Sequence, residues 1–525
     1  MIMDFLVHHM LRKSARCLPE KTAVVYRGMS LTYQEVFDQV SALAASFRTI
    51  GIQRGDRIGI YLDPSIELVV SIFGVSQANA VFVPINGLLL GDQVGHIAQD
   101  CEMRGLITTR KRLASLKERL PRLEFFVVVE DGSDGSHASS VFLFNDFIEK
   151  KSASALPDGC IDKDLAAILY TSGSTGKPKG VMLTHSNIVS GSSIVSAYLE
   201  ITERDKILAV LPFSFDAGLN QLMTAVQQGC SLVLMTFVFA KEIVQMLVKE
   251  HITGLAGVPT MWNLLSQSNS TIQKHSFPHL RYITNTGGAM PQHVLATLRK
   301  ALPKTNVYLM YGLTEAFRST YLPPDELDRR PTSMGKAIPN TEILVVNEHN
   351  QLSKPGEVGE LVHRGPTVSL GYWGNPELTA KVLRPNPFSL GKGGNEELVC
   401  YSGDLVKMDE EGFLYFVGRR DAMIKSAGYR LSRTEVEEAL YESGMVKEAA
   451  VIGVPDEILG QAVTAFVVGK TPEAVNVKDI LAFCSTKLPR YMVPKSIHLL
   501  EELPKTPNGK IDYTNLQTLK VTFNA

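Results

Sequence analysis

Short apolar runs that favour β-strands recur along the first two thirds of this chain, with helix-like stretches between them. They lie at residues 57–62, 80–83, 166–170, 232–235, 282–284 and 307–310. Such runs are typical of parallel β-α-β units whose sheets are covered on both faces. Ligands of open α/β sheets bind outside the carboxyl ends of the strands. We therefore expect the turns after Tyr170, Thr284 and Met310 to lie at one site.

The pattern changes twice in the remaining third of the chain. From Ile343 the strand-like runs become shorter and alternate with turn signals, which predicts a mostly β subregion. Beyond it the sequence predicts helices over residues 433–443 and 477–488 and strands over residues 449–454 and 462–468. A chain of 525 residues exceeds one hydrophobic core. We predict an α/β fold in which residues 1–418 form a large N-terminal domain of parallel α/β sheets plus the β subregion, and residues 419–525 a small α+β domain.

Composition excludes several classes of protein. The 53 basic residues nearly balance 54 acidic ones, so the chain is not expected to bind nucleic acid. No apolar run is long enough for a transmembrane segment. The six cysteines form no CxxC pair, which argues against a disulfide framework or a zinc site. Residues 1–20 lack the pattern of a signal peptide and are predicted to form a surface helix of a cytoplasmic protein.

A polar loop follows the apolar run that ends at Tyr170. Its candidate phosphate ligands are Thr171, Ser172, Gly173, Ser174, Thr175, Gly176 and Lys177. Backbone N–H groups, hydroxyls and a lysine together can surround phosphate oxygens. The loop is not a Walker A motif, because Lys177 is followed by Pro178 instead of serine or threonine. A flexible linker is the alternative, but linkers seldom follow a strand directly with this mixture of residues.

This loop resembles the phosphate-binding signature of the adenylate-forming superfamily, which contains acyl-CoA synthetases, nonribosomal peptide synthetase adenylation domains and firefly luciferase. Further motifs follow in the family's order over roughly residues 20 to 515. In Tyr311-Gly312-Leu313-Thr314-Glu315 the resemblance implies that Tyr311 stacks on adenine, Thr314 contacts phosphate and Glu315 holds Mg²⁺. It also implies that the Gly287-Gly288-Ala289 turn lies beside adenine and that Asp404 accepts from the ribose hydroxyls.

The resemblance extends to a hinge and a catalytic lysine. It implies that Arg419 contacts ribose, that Asp421 is the hinge of a mobile C-terminal domain, and that the loop containing Gly428 and Arg430 lines the path of a thiol. It also makes Lys510 the lysine that enters the active site during adenylation. A cation there stabilises the charge that develops when a carboxylate meets the α-phosphate.

The implied activity is ATP-dependent activation of a carboxylic or amino acid as an acyl-adenylate, followed by transfer to a thiol. The implied ligands are ATP, Mg²⁺ and coenzyme A, or the phosphopantetheine of a separate carrier protein. A stand-alone amino-acid adenylation enzyme is one alternative within the family. A catalytically silent nucleotide or acyl sensor and a luciferase-like oxygenase are alternatives of other classes.

The residues expected to shape the acyl pocket leave the substrate open. Many acyl- and aryl-CoA ligases have a histidine where this chain has Phe215 followed by Asp216. The pair resembles the Phe-Asp-x-Ser pattern of amino-acid adenylation domains, in which the aspartate binds the substrate amine. Gly218 stands in place of the serine, so the match is partial. Asp216 could instead be the N-cap of a following helix.

Overall fold

The computed structural model describes residues 4–116, 120, 123–129, 140–149, 157–172, 178–389, 397–420, 424–426, 429–456, 459–470, 476–488, 490, 492–506 and 509–523. Its strands are β1 Thr22–Tyr26, β2 Met29–Thr32, β3 Arg57–Tyr61, β4 Val81–Pro84, β5 Gly105–Thr109, β6 Phe125–Val129, β7 Val141–Leu143, β8 Leu165–Ser172, β9 Pro178–Thr184, β10 Lys206–Ala209, β11 Ser231–Leu234, β12 Gly254–Gly257, β13 Tyr282–Asn285, β14 Asn306–Tyr311, β15 Thr320–Leu322, β16 Lys336–Ala337, β17 Glu342–Val346, β18 Val358–Arg364, β19 Leu383–Pro385, β20 Leu398–Met408, β21 Leu414–Arg419, β22 Ile424–Ser426, β23 Tyr429–Leu431, β24 Val446–Asp456, β25 Gly460–Gly469 and β26 Ser496–Leu499.

The helices alternate with these strands through the first 300 residues. They are α1 Val7–Cys17, α2 Tyr33–Thr49, α3 Ile66–Gln77, α4 Gly91–Asp100, α5 Arg110–Leu116, α6 Phe144–Glu149, α7 His185–Tyr198, α8 Asp216–Gln228, α9 Ala240–Lys249, α10 Pro259–Ser266, α11 Gln292–Ala301, α12 Pro376–Val382, α13 Arg433–Glu442, α14 Val477–Lys487 and α15 Tyr513–Phe523. In the described residues, no helix is long and apolar enough to cross a membrane.

Two mainly parallel sheets dominate the N-terminal part. One has nine strands in the order β16-β15-β14-β13-β12-β10-β11-β1-β2, and the other has seven in the order β7-β6-β5-β3-β4-β8-β9. The strands predicted from apolar runs are confirmed as β3, β4, β8, β11, β13 and β14, with ends shifted by one or two residues. The predicted α/β fold is confirmed. The seven-stranded sheet is built by the chain between β2 and β10, so it is nested within the sequence of the nine-stranded one.

Helices separate and cover the two sheets. One core cluster joins α1, α2, α3, α7 and α8 to apolar residues of both sheets, such as Ile60 and Phe82 of one and Ile207 and Leu232 of the other. Helices α9, α10 and α11 cover the outer face of the nine-stranded sheet, and α4 covers that of the seven-stranded sheet. The result is a five-layer arrangement that leaves the carboxyl ends of the strands uncovered by these helices.

The N-terminal helix differs from the prediction in its burial. We expected a surface helix, but α1 buries Val7, Met10 and Leu11 completely in the central core. Its basic residues lie on the opposite side, where Arg12 is about one third exposed. The charged residues of this segment therefore occupy one face of an amphipathic helix, whose other face packs inside the protein.

Two smaller antiparallel sheets complete the described structure. Strands β17, β18, β20 and β19 form one sheet, with β21 added to β20; this is the β subregion predicted after residue 343. Strands β23, β22, β25 and β24 form the other, with β26 added parallel to β25. Helices α13 and α14 cover one face of this last sheet and α15 the other. The α+β character predicted for the C-terminal region is confirmed.

Candidate active site

The end of β14 meets the β subregion through Tyr311 and Asp404. Tyr311 is the last residue of β14, and its hydroxyl donates a hydrogen bond to Asp404 Oδ2 in β20. Arg419 Nε lies 3.4 Å from the other carboxylate oxygen of Asp404. Burial, and then the Asp404 carboxylate, raise the pKa of Tyr311 well above its usual value, so its hydroxyl remains a donor. Three residues predicted to contact adenosine thus lie side by side.

A buried histidine supports the ring of Tyr311. The rings of Tyr311 and His363 are nearly parallel, with an interplanar angle of 11° and centroids 6.1 Å apart. His363 is fully buried in β18, and burial lowers its pKa to about 3. Its ring is therefore neutral near pH 7. This packing fixes the plane of an aromatic ring at the mouth of the site.

Glu315 belongs to a second polar cluster at the edge of the site. Its carboxylate accepts a hydrogen bond from the Tyr372 hydroxyl, and Lys179 Nζ lies 3.2 Å from the same hydroxyl. The Lys179 ammonium also lies over the Tyr372 ring, 4.6 Å from its centroid. Since Lys179 belongs to β9 and Glu315 follows β14, the cluster connects the two large sheets.

The described part of the predicted phosphate loop contains a buried hydroxyl. Thr171 lies near the end of β8, and its backbone pairs with Lys179 of β9. Its Oγ1 is buried and has no hydrogen-bond partner among the described residues. Buried hydroxyls normally have a partner. This oxygen is consequently suited to a ligand that occupies the loop.

The glycine turn after β13 contacts the C-terminal region. Gly287 has φ +79°, a left-handed conformation that favours glycine. A methyl group added there would lie 3.4 Å from Val258 Cγ1 and 3.7 Å from Lys510 Cε. Lys510, which follows Gly287 by 223 positions in the sequence, is therefore within contact distance of the predicted adenine turn. Gly288 and Ala289 complete the turn and are exposed.

Lys510 is presented by a short hairpin. Thr506 N donates to Lys510 O at 2.7 Å, and Gly509 N donates to Thr506 O at 2.8 Å. The nearby Lys505 is directed elsewhere, because its ammonium pairs with Glu448 at 3.0 Å. Two lysines of one hairpin thus differ in their surroundings: one makes a surface ion pair, and the other reaches the turn at Gly287.

A cavity lies behind this turn, between α7, α8 and the nine-stranded sheet. The space in it that a water-sized molecule can reach is about 30 Å³. Its walls combine apolar and polar side chains, and the lining includes Val195, Leu199, Ala217, Asn220, Gln221, Thr284, Thr286 and Arg318. Thr286 directly precedes Gly287 in sequence, so the cavity opens next to the turn that Lys510 contacts.

Asp216 is not the N-cap of helix α8. The N-cap of α8 is Phe215, which makes no side-chain capping hydrogen bond, and Asp216 is the first residue of the helix. The alternative role of Asp216 as an N-cap is therefore wrong. Its carboxylate instead lies 3.8 Å from Arg318 Nη1, and the Arg318 side chain is 5% exposed. An acid at this position still interacts favourably with the helix dipole.

Comparison with known proteins identifies the family of the chain. The profile of the AMP-binding enzymes matches residues 11–373, and that of the AMP-binding enzyme C-terminal domain matches residues 435–510. The chain belongs to the adenylate-forming, AMP-binding enzymes. It is an AMP-forming ligase of this family, and the resemblance inferred from its motifs is confirmed.

The relatives of this AMP-binding enzyme include a CoA ligase and a much longer amino-acid polymer synthetase. A long-chain-fatty-acid–CoA ligase of Bacillus subtilis is 30% identical over 95% of this chain and 92% of its own length. A delta-poly-L-ornithine synthetase of Acinetobacter baumannii is 32% identical over 97% of this chain but only 36% of its own length. The solved structure of an anthranilate CoA ligase in complex with anthranoyl-AMP is 26% identical, covers 99% of this chain and 98% of that protein, and has a TM-score of 0.87.

Some predicted site residues of this AMP-binding enzyme fall outside the described structure. Gly173, Ser174, Thr175, Gly176 and Lys177 do so, as do Asp421 and Gly428. Ser172 and Arg430 are described as strand residues in β8 and β23, without their side chains. The roles of these residues remain predictions. The domain boundary at residue 419 also remains a prediction, and Arg419 is the last residue of β21.

Sequence reasoning missed three polar residues that the fold brings to the site. Tyr372 reaches Glu315 across 57 positions of sequence. Arg318 follows Glu315 by three positions, and Asn220 follows Asp216 by four, which places it one helical turn further along α8. The helical spacing of Asn220 could have indicated that it shares a face with Asp216. No local pattern indicates Tyr372 or Arg318.

Proposed function

We propose that this enzyme joins a small carboxylic acid to AMP, releases pyrophosphate, and transfers the acyl group to the thiol of a phosphopantetheine, as in coenzyme A. The observation that carries the proposal is the position of Lys510 Cε against the turn at Gly287, beside the cavity. A mobile cation at the junction between a nucleotide site and an acyl cavity can stabilise the charge of a carboxylate that attacks the α-phosphate.

The nucleotide is proposed to lie across the carboxyl ends of the strands. Tyr311, supported by His363, offers a ring on which adenine can stack. Asp404 offers acceptor oxygens for the two ribose hydroxyls, and Arg419 holds the orientation of that carboxylate. Thr171, with the loop over residues 172–177, is proposed to hold the phosphates because its buried hydroxyl needs a partner.

Magnesium is proposed to bind with the nucleotide at Glu315, and Thr314 is proposed to contact a phosphate. Carboxylate and hydroxyl oxygens are the ligands that this hard cation prefers. The Tyr372 hydroxyl that donates to Glu315 fixes the orientation of the carboxylate, which suits a metal ligand. When bound, the ion would neutralise charge on the phosphate oxygens and on the departing pyrophosphate.

The C-terminal region is proposed to rotate between the two half-reactions. Lys510 lies next to Gly287, and this geometry suits adenylation. A thiol must later reach the same carbonyl carbon, so the lysine hairpin has to withdraw. Asp421 is the proposed hinge, and the segment with Gly428 and Arg430 would then approach the cavity. Rotation of the C-terminal region would thus let one site serve first the attack of the carboxylate on ATP and then the attack of the thiol on the acyl-adenylate.

Coenzyme A is our first candidate for the thiol. The support is that the Bacillus subtilis CoA ligase matches this chain over 92% of its length, whereas the chain spans about one third of the ornithine synthetase. A phosphopantetheine on a separate carrier protein presents the same thiol, so it is the alternative acceptor. The two acceptors are distinguished by direct assay.

A second candidate function is amino-acid adenylation, and the position of Asp216 favours it. This carboxylate is partly exposed at the start of α8, next to Arg318, and it does not cap the helix. An amine on the acid could pair with it. The Asp216→Ala variant should then lose roughly 10²-fold or more in kcat/KM for an amino acid, as when one member of a buried charged pair is removed, and retain its rate with the amine-free analogue.

The proposal is tested with two assays on the full chain. Exchange of labelled pyrophosphate into ATP across a panel of carboxylic and amino acids measures adenylation. Thioester formation is then measured for each active acid with coenzyme A and with a phosphopantetheinylated carrier protein. We expect exchange that requires Mg²⁺ and Lys510. Nucleotide binding without exchange for any acid would favour the sensor alternative, and oxidation of an acyl-adenylate with light emission would favour the oxygenase alternative.

A further inference from the structure

The cavity wall contains a buried cationic side chain whose donors lack acceptors. Arg318 is 5% exposed, and its Nε and Nη1 have no hydrogen-bond partner among the described residues. A guanidinium carries five N–H donors in a planar fork. Leaving such donors buried and unpaired is costly, because a charged group loses its hydration without recovering it. The arrangement is therefore adapted to an occupant of the cavity that supplies acceptor oxygens.

The neighbouring Asp216 compensates the charge of Arg318 only in part. Its Oδ2 lies 3.8 Å from Arg318 Nη1, which is an ion-pair distance but too long for a hydrogen bond. The guanidinium therefore remains short of acceptors, although one of its nitrogens faces a carboxylate. By contrast, Arg281, which directly precedes β13, makes two hydrogen bonds of 2.9 Å to the Asp205 carboxylate.

A second donor lies beside Arg318 in the lining. Asn220, on the cavity face of α8, is 3% exposed, and its Nδ2 also has no partner among the described residues. Arg318 and Asn220 thus line one cavity with three N–H-bearing nitrogens that lack acceptors. A carboxylate is the group that best matches this set, because it offers two oxygens with about four acceptor sites and a complementary charge.

The remaining walls limit the shape of the occupant. Val195, Leu199 and Ile207 supply apolar surface between these donors and the rest of the lining, which suits methylene groups. Thr286 leads to Gly287, where Lys510 approaches. An acid with its reacting carboxylate at Lys510 and its second carboxylate at Arg318 has to be short, because only about 30 Å³ of the cavity is open to a water-sized molecule.

We propose that Arg318 and Asn220 bind a second carboxylate of the substrate, so that the preferred acids of this enzyme are short dicarboxylic acids. The proposal rests on the adenylation function proposed above and assigns its substrate class. Arg318 is the specificity-determining residue, since its guanidinium offers N–H donors and a positive charge to a carboxylate, and Asn220 supplies a further donor. Asp216 holds the guanidinium from the other side and remains available for an amine.

The experiment compares acids that differ by one functional group. Pyrophosphate exchange is measured with four acids of four carbons: butyrate, succinate, 2-aminobutyrate and aspartate. Matched pairs of mono- and dicarboxylic acids from three to six carbons then locate the best length. We expect the best dicarboxylic acid to exceed its monocarboxylic partner by about 10²-fold or more in kcat/KM, the scale of a desolvated charge pair. The amino acids of the set report separately on Asp216.

Three variants test the residues. In Arg318→Gln the dicarboxylic acid should lose about 10²-fold in kcat/KM, chiefly through a raised KM, so that its advantage over the monocarboxylic acid disappears. Asn220→Asp keeps the size of the side chain and adds a like charge, so it should penalise only the dicarboxylic acid. Arg204→Gln removes an exposed arginine on the loop before β10 and should change neither rate. Thermal unfolding and circular dichroism verify that each variant is folded.

The outcomes separate this proposal from the function on which it rests. Exchange that requires Lys510 but is as fast with monocarboxylic or simple amino acids as with dicarboxylic acids would overturn the substrate class and leave the adenylation function standing. A loss in Arg318→Gln that is equal for both kinds of acid would show that Arg318 is structural and would also overturn it. If no acid in an extended panel of aliphatic, aromatic and amino acids supports exchange, the adenylation function itself is wrong.

Discussion

Replacing Lys510 with alanine should slow adenylation much more than thioester formation. Lys510 Cε lies 3.7 Å from the position that a methyl group on Gly287 would occupy. We therefore place the Lys510 ammonium at about 4 Å from a carboxylate and an α-phosphate bound beside this turn. A pair of unit charges at about 4 Å is worth roughly 4 kcal/mol at an effective dielectric constant near 20. Lys510 is exposed, and solvent screening reduces this value. We therefore expect a loss of about 10²–10³-fold in exchange rate.

The assay measures the two half-reactions separately. Pyrophosphate exchange reports adenylation, and conversion of a chemically prepared acyl-adenylate to thioester reports transfer. Lys505→Ala is a matched control, because this lysine belongs to the same hairpin but pairs with Glu448 at the surface. We expect the control to retain wild-type exchange, since exposed ion pairs contribute little. Lys510→Ala should still form thioester from the supplied adenylate at close to the wild-type rate.

Two results would refute this reasoning. Equal losses in both half-reactions for Lys510→Ala would mean that the lysine stabilises the domain instead of the transition state. An equal loss of exchange in Lys505→Ala would mean that the integrity of the hairpin, and not the position of one charge, determines the rate. Circular dichroism and thermal unfolding of the three proteins distinguish these cases from general misfolding.

Three further predictions concern the hinge, the ribose contact and the C-terminal domain. Asp421→Pro should leave exchange nearly intact and slow thioester formation from preformed adenylate, because proline fixes φ near about −65°; a wild-type transfer rate would locate the hinge elsewhere. Asp404→Asn should raise the KM for ATP by about tenfold or more, the scale of a charge-assisted hydrogen bond, and an unchanged KM in exchange kinetics would argue against ribose binding. Burial raises the pKa of Glu437 from 4.5 to about 7. The protonated side chain therefore stabilises the folded state fully below about pH 4.5, and this stabilisation is lost as the pH rises through 7. Glu437→Gln should accordingly raise the free energy of unfolding at pH 8 by up to roughly 3 kcal/mol and have little effect at pH 4, as measured by denaturant unfolding.

The sequence predicted those parts of the fold that depend on local patterns. Strands such as β3 and β14 follow from apolar runs, because a buried parallel strand needs apolar residues on both faces. The burial of α1 was not predicted, since its charges suggested a surface helix while Val7 and Met10 fill the opposite face. Whether such a face is covered depends on distant elements, which local patterns do not report.

The candidate site shows the same division. Tyr311, Asp404 and Lys510 were proposed from motifs, and the fold brings them to one region. The environment of Asp216 could not be predicted, because capping and pocket-facing positions differ by a single residue at the start of α8. Arg318 required knowledge of which side chains meet across the cavity. Arg318 meets Asp216 because the segment after β14 packs against α8. The periodicity of a single sequence carries no information about such contacts.

The nesting of the two large sheets has a consequence for how the chain folds during synthesis. The seven-stranded sheet uses residues 57–184 and can pair all its strands once that segment has left the ribosome. Strand β1 and helix α1 find some of their partners only in later residues: β1 pairs with β11, and the hydroxyl of Ser14 donates to the carbonyl of Val226, 212 residues downstream. At usual elongation rates this delay is roughly 10 to 40 s. The nine-stranded sheet can thus be completed only after all strands of the seven-stranded sheet have been synthesised.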